Sequence, residues 1–583
     1  MTQKTSIPTV QDIPQFDRRF FESDDVISRI GGGAIGGKAS GLAFAHKVLQ
    51  DHFPTGKFEG MDVSVPRLVV IGTDVFDVFM DRNNLYELIQ DDLPDDRIAN
   101  AFQRAEFPPE FAGDLRGLIS AVHTPLALRS SSMLEDAMYE PFAGVYGTKM
   151  IPNNQPDIDA RYKKLVEAVK FVYASTFFRE ARAYLSMTGR STAEEKMAVI
   201  IQEVVGHRYD ERFYPCLSGV ARSYNFYSFG HAQPEDGVVD LALGLGKTIV
   251  DGGTVWSYCP AYPNTNPPCS MSDLIKSTQT EFWAVNMGKP PAYDPIHETE
   301  YLMKGSLADA DHDGSLPTVA STYDPQNDRI VMGTGINGPR ILDFAATIRM
   351  DDIPVNALIS NLMRSCSDEL GAAVEIEFAV RVDPRKEASP RFGFLQVRPM
   401  VVSDASIEVE DAELKSDIAL LASERVLGNG IISNLTDIVY VKPDDFKKES
   451  TRIIASEIDT INRRLHDEGR RYLLIGFGRW GSSDPWLGIP VDWGNISGAQ
   501  VIVEASLPDM HVELSQGSHF FHNLTSLQLC YFSLMHTGSY HIDWDWLERQ
   551  NKMFEMDFVR HLRIDEPLTV KVDGRNRRGV VLR

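Results

Sequence analysis

Two stretches of alternating sequence, VEIEFAV at 374–380 and FGFLQVRPMV at 392–401, constrain the fold more than any other feature. Residues two apart along a strand share a face, so Glu375 and Glu377 point one way while Val374, Ile376 and Phe378 point the other. Gln396 and Arg398 share a face for the same reason. If the two strands pair across the loop RVDPRKEASPR, two carboxylates, an amide oxygen and a guanidinium converge on one patch. On the pattern alone two readings stay open. One is an amphipathic edge hairpin with a solvated charged face. The other is a patch suited to Mg²⁺, which takes hard oxygen ligands, and to phosphate, which arginine clamps.

Elsewhere, segments that read as helices alternate with short β-branched runs such as RLVVIG at 67–72 and MAVIIQEVV at 197–205, which predicts a mixed α/β chain. With 583 residues, 43% hydrophobic and 24% charged, the composition is that of ordinary globular material, enough for roughly three or four units. Residues 264–324 are rich in Pro, Asn, Asp and Ser and read as connecting and helical decoration without a catalytic group. A hairpin is expected over 319–333, turning at Asp324, Pro325, Asn327 and Asp328. The acidic stretch SDASIEVEDAELKSD at 403–417 reads as the clearest boundary. At the C-terminal end, an aromatic helix over 544–559 is expected to lead into a strand-turn-strand with Asp573 and Gly574 in the turn. These boundaries predict an N-terminal lead at 1–24, a large domain at 25–402, a linker at 403–423, a smaller α/β domain at 424–535 and the C-terminal helix and hairpin at 536–583.

The formal charge of −24 disfavours nucleic acid or an anionic membrane surface as the main partner, because neutralising phosphates requires clustered Lys and Arg. No apolar run approaches the length of a membrane span, and the first residues lack a secretory pattern, so a cytoplasmic location is expected. The five cysteines are scattered without a CxxC pair, as expected for reduced thiols in a core.

Two further motifs carry chemistry. Gly31 to Gly37 open an amphipathic run with Leu42, Ala45, Val48 and Leu49 on its apolar side. Glycines let backbone N–H groups approach an oxyanion, and Lys38 adds a positive charge; a tight turn with a solvated lysine is the plainer alternative. Gly31, Gly33 and Gly36 have dinucleotide-fingerprint spacing but lack a strong preceding strand and a later acid. Walker A spacing fails because Ala39 stands where a hydroxyl must bind magnesium. The second motif, LALRSSSMLEDAMYEPFAGVYGT at 126–148, sets Arg129 at the end of an apolar run before three serines, as a phosphate clamp or a surface ion pair.

Taken together, G-G-K-A-S-G-L, L-R-S-S-S-x-x-E-D with F-A-G, and E-I-E-F with L-Q-V-R-P resemble, in order and approximate spacing, the N-terminal domain of pyruvate phosphate dikinase and phosphoenolpyruvate synthase. AVIIQEVV with the later SGV, and LALGLGKTIVDGG at 241–253, resemble two further blocks of that domain, so the likeness spans about 25–402. It implies an ATP-grasp fold in which Lys38 and Arg129 contact the phosphates of ATP and Gln202, Glu203 and Val204 lie near the adenine. Glu375, Glu377 and Gln396 would hold Mg²⁺, with Arg398 on the transferring phosphoryl group. Lys247 departs from the pattern, since the family usually shows an acid after GLG.

In that family the phosphoryl group passes to a histidine on a swivelling domain. His519 in QGSHFFHNL resembles a divergent form of that carrier, with His522 as a supporting candidate; an ordinary histidine among aromatics is the competing reading. Arg479, Trp480, Asp484, Trp486 and Trp493 in the segment 476–494 read either as a wall for an acceptor or as core aromatics in an irregular loop. Too little chain follows His519 for a pyruvate-binding barrel. The expected activity is therefore ATP-dependent phosphotransfer to an unidentified small molecule or protein. Two alternatives are an inactive nucleotide-binding regulator and a direct kinase without a phosphohistidine. Pattern does not set the oligomeric state.

Overall fold

The computed structural model describes residues 10–583 except 90–92, 133–143, 188–193, 227, 229, 266–270, 277, 351–352, 384–386, 401, 403–406, 483, 485, 509, 511–523, 525–528 and 575. His519 and His522 lie outside the described residues, as do Glu135 and Asp136. The chain forms two compact units: one comprises 1–225, 229–249 and 254–400, the other 226–228, 250–253 and 401–583. Helices and mixed sheets occur throughout, as the α/β reading expects. Among the described residues, no helix is long and apolar enough to cross a membrane.

The first unit is built on two larger sheets. Among the described residues, the five-stranded sheet runs in the order Ile27–Ile30, Leu68–Ile71, Met197–Glu203, Leu126–Ser132, Thr148–Ile151. The seven-stranded sheet runs Trp256–Tyr258, Val238–Ala242, Leu217–Arg222, Val374–Arg381, Arg391–Pro399, Met61–Ser64, Lys57–Phe58. The 374–399 hairpin is thus central rather than at an edge, and Glu375 and Arg398 are buried. A solvated charged face is excluded, so those charges need partners inside the protein.

Helix Gly36–His52 packs on both sheets through small residues. Ala39 and Ala45 are fully buried, and a Cβ on Gly41 would stand 2.8 Å from the carbonyl oxygen of Val397. Larger side chains would hold the helix away from the strand. The glycine loop does follow a strand, the short Ile27–Ile30, contrary to expectation; Ser28 and Arg29 break the apolar run that would have announced it.

Residues 264–324 hold more than helical decoration. Strands Glu281–Asn286 and Leu302–Ser306 pair with each other, and the first continues onto Arg212–Tyr214. In the first strand Phe282 and Ala284 pack on one face and Val285 on the other, so burial on both faces leaves no clean alternation to read. The hairpin expected at 319–333 is present as Ser321–Asp324 and Arg329–Met332. Helix Leu307–His312 follows the second of these strands, and its C-cap Asp313 is held by Arg212 at 2.8 Å.

In the second unit, parallel strands Gly430–Val441, Tyr472–Phe477, Ala499–Ala505 and Cys530–Leu534 lie side by side, with helix Thr451–Asp467 crossing between the first two. Antiparallel Val559–Asp573 and Arg578–Leu582 extend the sheet. One edge strand, Ala419–Ser423, and the other, Val426–Leu427, are consecutive pieces of chain, so the sheet closes on itself. The aromatic helix expected over 544–559 is only Trp544–Glu548; residues Asn551–Glu555 form a strand against Val559–Asp573 instead. Backbone pairing with a long neighbouring strand outweighs the weak local helical pattern there. Of the five cysteines, Cys216, Cys259, Cys366 and Cys530 are buried and free, and Cys269 lies outside the described residues.

Candidate functional site

The glycine loop is shaped by backbone that only glycine adopts easily. Gly31, Gly33 and Gly36 have φ of 76°, 78° and 78°. A Cβ on Gly36 would fall 1.9 Å from the Ser131 carbonyl oxygen, so the loop is pressed against the strand that carries Arg129. Thr73 fixes the loop from the other side, its Oγ1 accepting from the Ala34 amide at 2.8 Å. Lys38 is buried in the first turn of the helix, with Nζ donating to Ser130 Oγ at 3.2 Å. Ser131 Oγ accepts from the Ala39 amide at 3.0 Å and donates to the Ile35 carbonyl at 2.7 Å. The serine run thus binds the loop and helix start.

Arg129 joins the two sheets. Its guanidinium donates to the Leu395 carbonyl at 2.8 Å, to Glu377 Oε2 at 3.1 Å and to Gln396 Oε1 at 2.5 Å. The last two bonds come from one nitrogen, so the carboxylate and the amide oxygen already converge on a single positive centre. Glu377 and Gln396 are cross-strand partners, placed opposite one another by the hairpin register. Two hard oxygens meeting at one cation suit Mg²⁺. Among the described residues, no group of three or more His, Cys, Asp or Glu is gathered in a way that could hold a metal.

Glu375 is engaged differently. Arg398 Nε donates to its Oε1 at 2.8 Å, and Arg222 Nε donates to its Oε2 at 2.7 Å. Arg222 also reaches Asp240 Oδ2 at 2.9 Å, and Asp240 accepts from the Ser257 hydroxyl. All four charged side chains are at least 96% buried. Burial disfavours the Arg222 charge, but Glu375 and Asp240 more than offset this and raise its pKa. The carboxylate of Glu375 therefore orients Arg398; Oε1 accepts from Arg398 and Oε2 from Arg222, so a metal at this carboxylate would compete with two arginines. Arg222 and Asp240 belong to none of the motifs read from the sequence. The available signal was a charge at the end of LSGVAR and another inside VVDLA, on strands otherwise apolar.

Gln202 and Glu203 end the strand Met197–Glu203 that pairs with Leu126–Ser132, and Val204 follows it; Ile200 is the cross-strand partner of Arg129. Gln202 is buried, with Nε2 donating to the Pro66 carbonyl at 3.4 Å. The Glu203 and Val204 amides donate to the carbonyls of Arg67 and Pro125 at 3.1 and 2.9 Å. Burial pushes the Glu203 carboxyl pKa up, against the pull of Arg391 and Arg67.

Residues 294–301 also bear on the site. Lys149 is buried against Glu300 at 2.7 Å, and Lys247 pairs with Glu298. Burial lowers the Lys149 pKa, with Glu300 opposing. In the second unit, Arg479 donates to the Gly252 carbonyl at 2.9 Å, and Trp480 and Trp493 are buried while Trp486 is 62% exposed. Arg479 and those two tryptophans are thus buried within that unit.

No curated protein matches the chain significantly. A family profile described as pyruvate phosphate dikinase, AMP/ATP-binding domain, matches residues 33–417. That span contains the glycine loop from Gly33 onward, Arg129, the 374–399 hairpin and well over half of the chain, so the chain belongs to the pyruvate phosphate dikinase AMP/ATP-binding domain family, an ATP-grasp type of nucleotide-binding fold.

Proposed function

We propose that the protein is a cytoplasmic phosphotransferase that takes a phosphoryl group from Mg-ATP, passes it to His519 and delivers it to a small-molecule or protein acceptor. The observation that carries this reading is the meeting of Glu377 and Gln396 on one nitrogen of Arg129. In this reading residues 25–402 form the nucleotide-binding domain, 403–423 a linker, 424–535 the carrier domain and 536–583 its C-terminal extension.

Phosphoryl transfer asks a protein mainly for positioned positive charge around the moving group. Lys38 and the glycine loop would hold phosphate oxygens, Arg129 would clamp them beside Glu377 and Gln396, and Gln202, Glu203 and Val204 would border the base. Glu377 and Gln396 would hold magnesium, which when bound neutralises phosphate charge. Glu375 stands next to this pair as a weaker ligand candidate, since it already binds Arg398 and Arg222. Arg398, kept in one orientation by Glu375, would face the phosphoryl group in flight. A neutral imidazole nitrogen of His519 would attack phosphorus as the bond to the leaving phosphate oxygen breaks.

The test uses ATP labelled separately at the β and γ phosphates, with the native chain, His519→Ala and Arg398→Ala. Acid-labile label on the native protein, absent from both variants, is expected. β label with AMP release identifies a dikinase-type carrier. ADP release that persists in His519→Ala identifies direct transfer to an acceptor and removes the histidine from the mechanism. The engagement of both Glu375 oxygens favours a second reading, a nucleotide-binding regulator without turnover. ATP binding with no label and no turnover, with candidate acceptors present, would establish that reading instead.

A further inference from the structure

The GLG turn ends on Lys247, whose ammonium is paired with Glu298. Two independent contacts put this pair beside the charged centre of the first unit. Gly246, immediately before the lysine, sits over Ser218: a Cβ there would come 3.6 Å from Ser218 Cβ. Ser218 shares a strand face with Val220, and Val220 is the cross-strand partner of Glu377. From the other side, Glu298 Oε2 accepts from the Thr148 amide at 3.5 Å, and Thr148 is the cross-strand partner of Arg129. Lys247 thus stands between the strand neighbours of Glu377 and of Arg129.

Exposure separates this pair from the one next to it. Lys149 and Glu300 are 3% and 5% exposed, a sealed pair whose separation would strand a buried charge. Lys247 and Glu298 are 14% and 38% exposed. A partly hydrated carboxylate is a weak, replaceable partner. A lysine ammonium is a compact point charge that binds phosphate oxygens well.

We propose that Lys247 is a phosphate-binding cation of this site, and that Glu298 is the counter-ion it exchanges for the polyphosphate of a nucleoside triphosphate. The inference rests on the nucleotide-binding reading above and adds a residue to it. It also assigns a role to the lysine that stands where an acid is usual. Glu298 competes with the ligand for the ammonium, so the two members of the pair affect affinity in opposite directions. A purely structural ion pair has no such asymmetry, because loss of either member loosens the same contact.

The experiment is calorimetric titration of the full chain with Mg-ATP, and separately with adenosine. Lys247→Gln is expected to weaken Mg-ATP binding about tenfold, and Glu298→Gln to tighten it about threefold. The double variant should resemble Lys247→Gln, and adenosine affinity should stay constant. Native-like Mg-ATP affinity in Lys247→Gln overturns the inference and leaves the nucleotide reading standing. Weakening by Glu298→Gln overturns it too, as the mark of a structural clamp. Absence of Mg-ATP binding by the native chain overturns the nucleotide reading itself and the inference with it.

Discussion

Arg129 shows how much a single side chain contributes when its geometry is planar and fixed. Its guanidinium satisfies a backbone carbonyl, a carboxylate and an amide oxygen at once, and it does so across two sheets. A lysine has the charge without the fork and cannot make the three bonds together. Arg129→Lys should therefore keep the fold and lower magnesium-dependent ATP consumption by about 10²-fold, a loss comparable to removing one preorganised donor. Initial rates at saturating ATP check this; a rate within twofold of native would remove Arg129 from the transferring centre. The motif was readable in the sequence as an arginine before three serines, but its partners were not, because they lie more than 200 positions away.

At the scale of elements, hairpin register explains the first unit and a buried carboxylate anchors the second. Cross-strand pairing sets Glu375 opposite Arg398 and Glu377 opposite Gln396, so two residues of one strand acquire different partners from one alternation. In the second unit Asp437, which is 1% exposed, accepts from His561 at 2.8 Å, Arg470 at 2.8 Å and Arg563 at 2.9 Å. Burial alone would raise the Asp437 pKa, but bonds from His561, Arg470 and Arg563 overcome it and hold the carboxyl well below the usual range. A depressed carboxylate contributes stability above its unfolded pKa of about 3.9 and loses it as pH falls through that value toward the folded pKa. Asp437→Asn should therefore destabilise the protein by about 3 kcal/mol at pH 7, the low end for breaking a buried pair because both arginines are about one-third exposed. The deficit should shrink as pH drops below about 4. Denaturant melts of both proteins from pH 7 to 3 measure it; a deficit that does not change with pH would contradict the assignment.

For the whole molecule, two compact units mean two cores, and a nucleotide that binds one of them stabilises that core by mass action. Mg-ATP at about 100 times its dissociation constant should add about 2.7 kcal/mol to the unfolding of the first unit. Calorimetric scans with and without Mg-ATP test this: the expected result is an upward shift of one transition, and unchanged scans would count against nucleotide binding. The strong acidic balance of the chain raises the importance of the few cations gathered at that site, since the molecule as a whole repels polyphosphate.

The α/β class, the 374–399 hairpin and the glycine loop were legible because each is a local pattern: a period of two, or a run of residues with special backbone freedom. The Glu281–Asn286 and Leu302–Ser306 strands and the shortening of the aromatic helix to Trp544–Glu548 were decided by backbone pairing, with the next strand in both cases and with the remote Arg212–Tyr214 in the first, which local composition does not encode. The same holds for chemistry. Sequence supplied Lys38, Arg129, Glu377 and Gln396 as residue types in an order; tertiary structure chose Arg222 and Arg398 as the partners of Glu375, and Glu298 as the partner of Lys247. Charges inside a protein must be compensated by whatever side chains the fold brings within reach, and that reach is set by sheet order rather than by spacing along the chain.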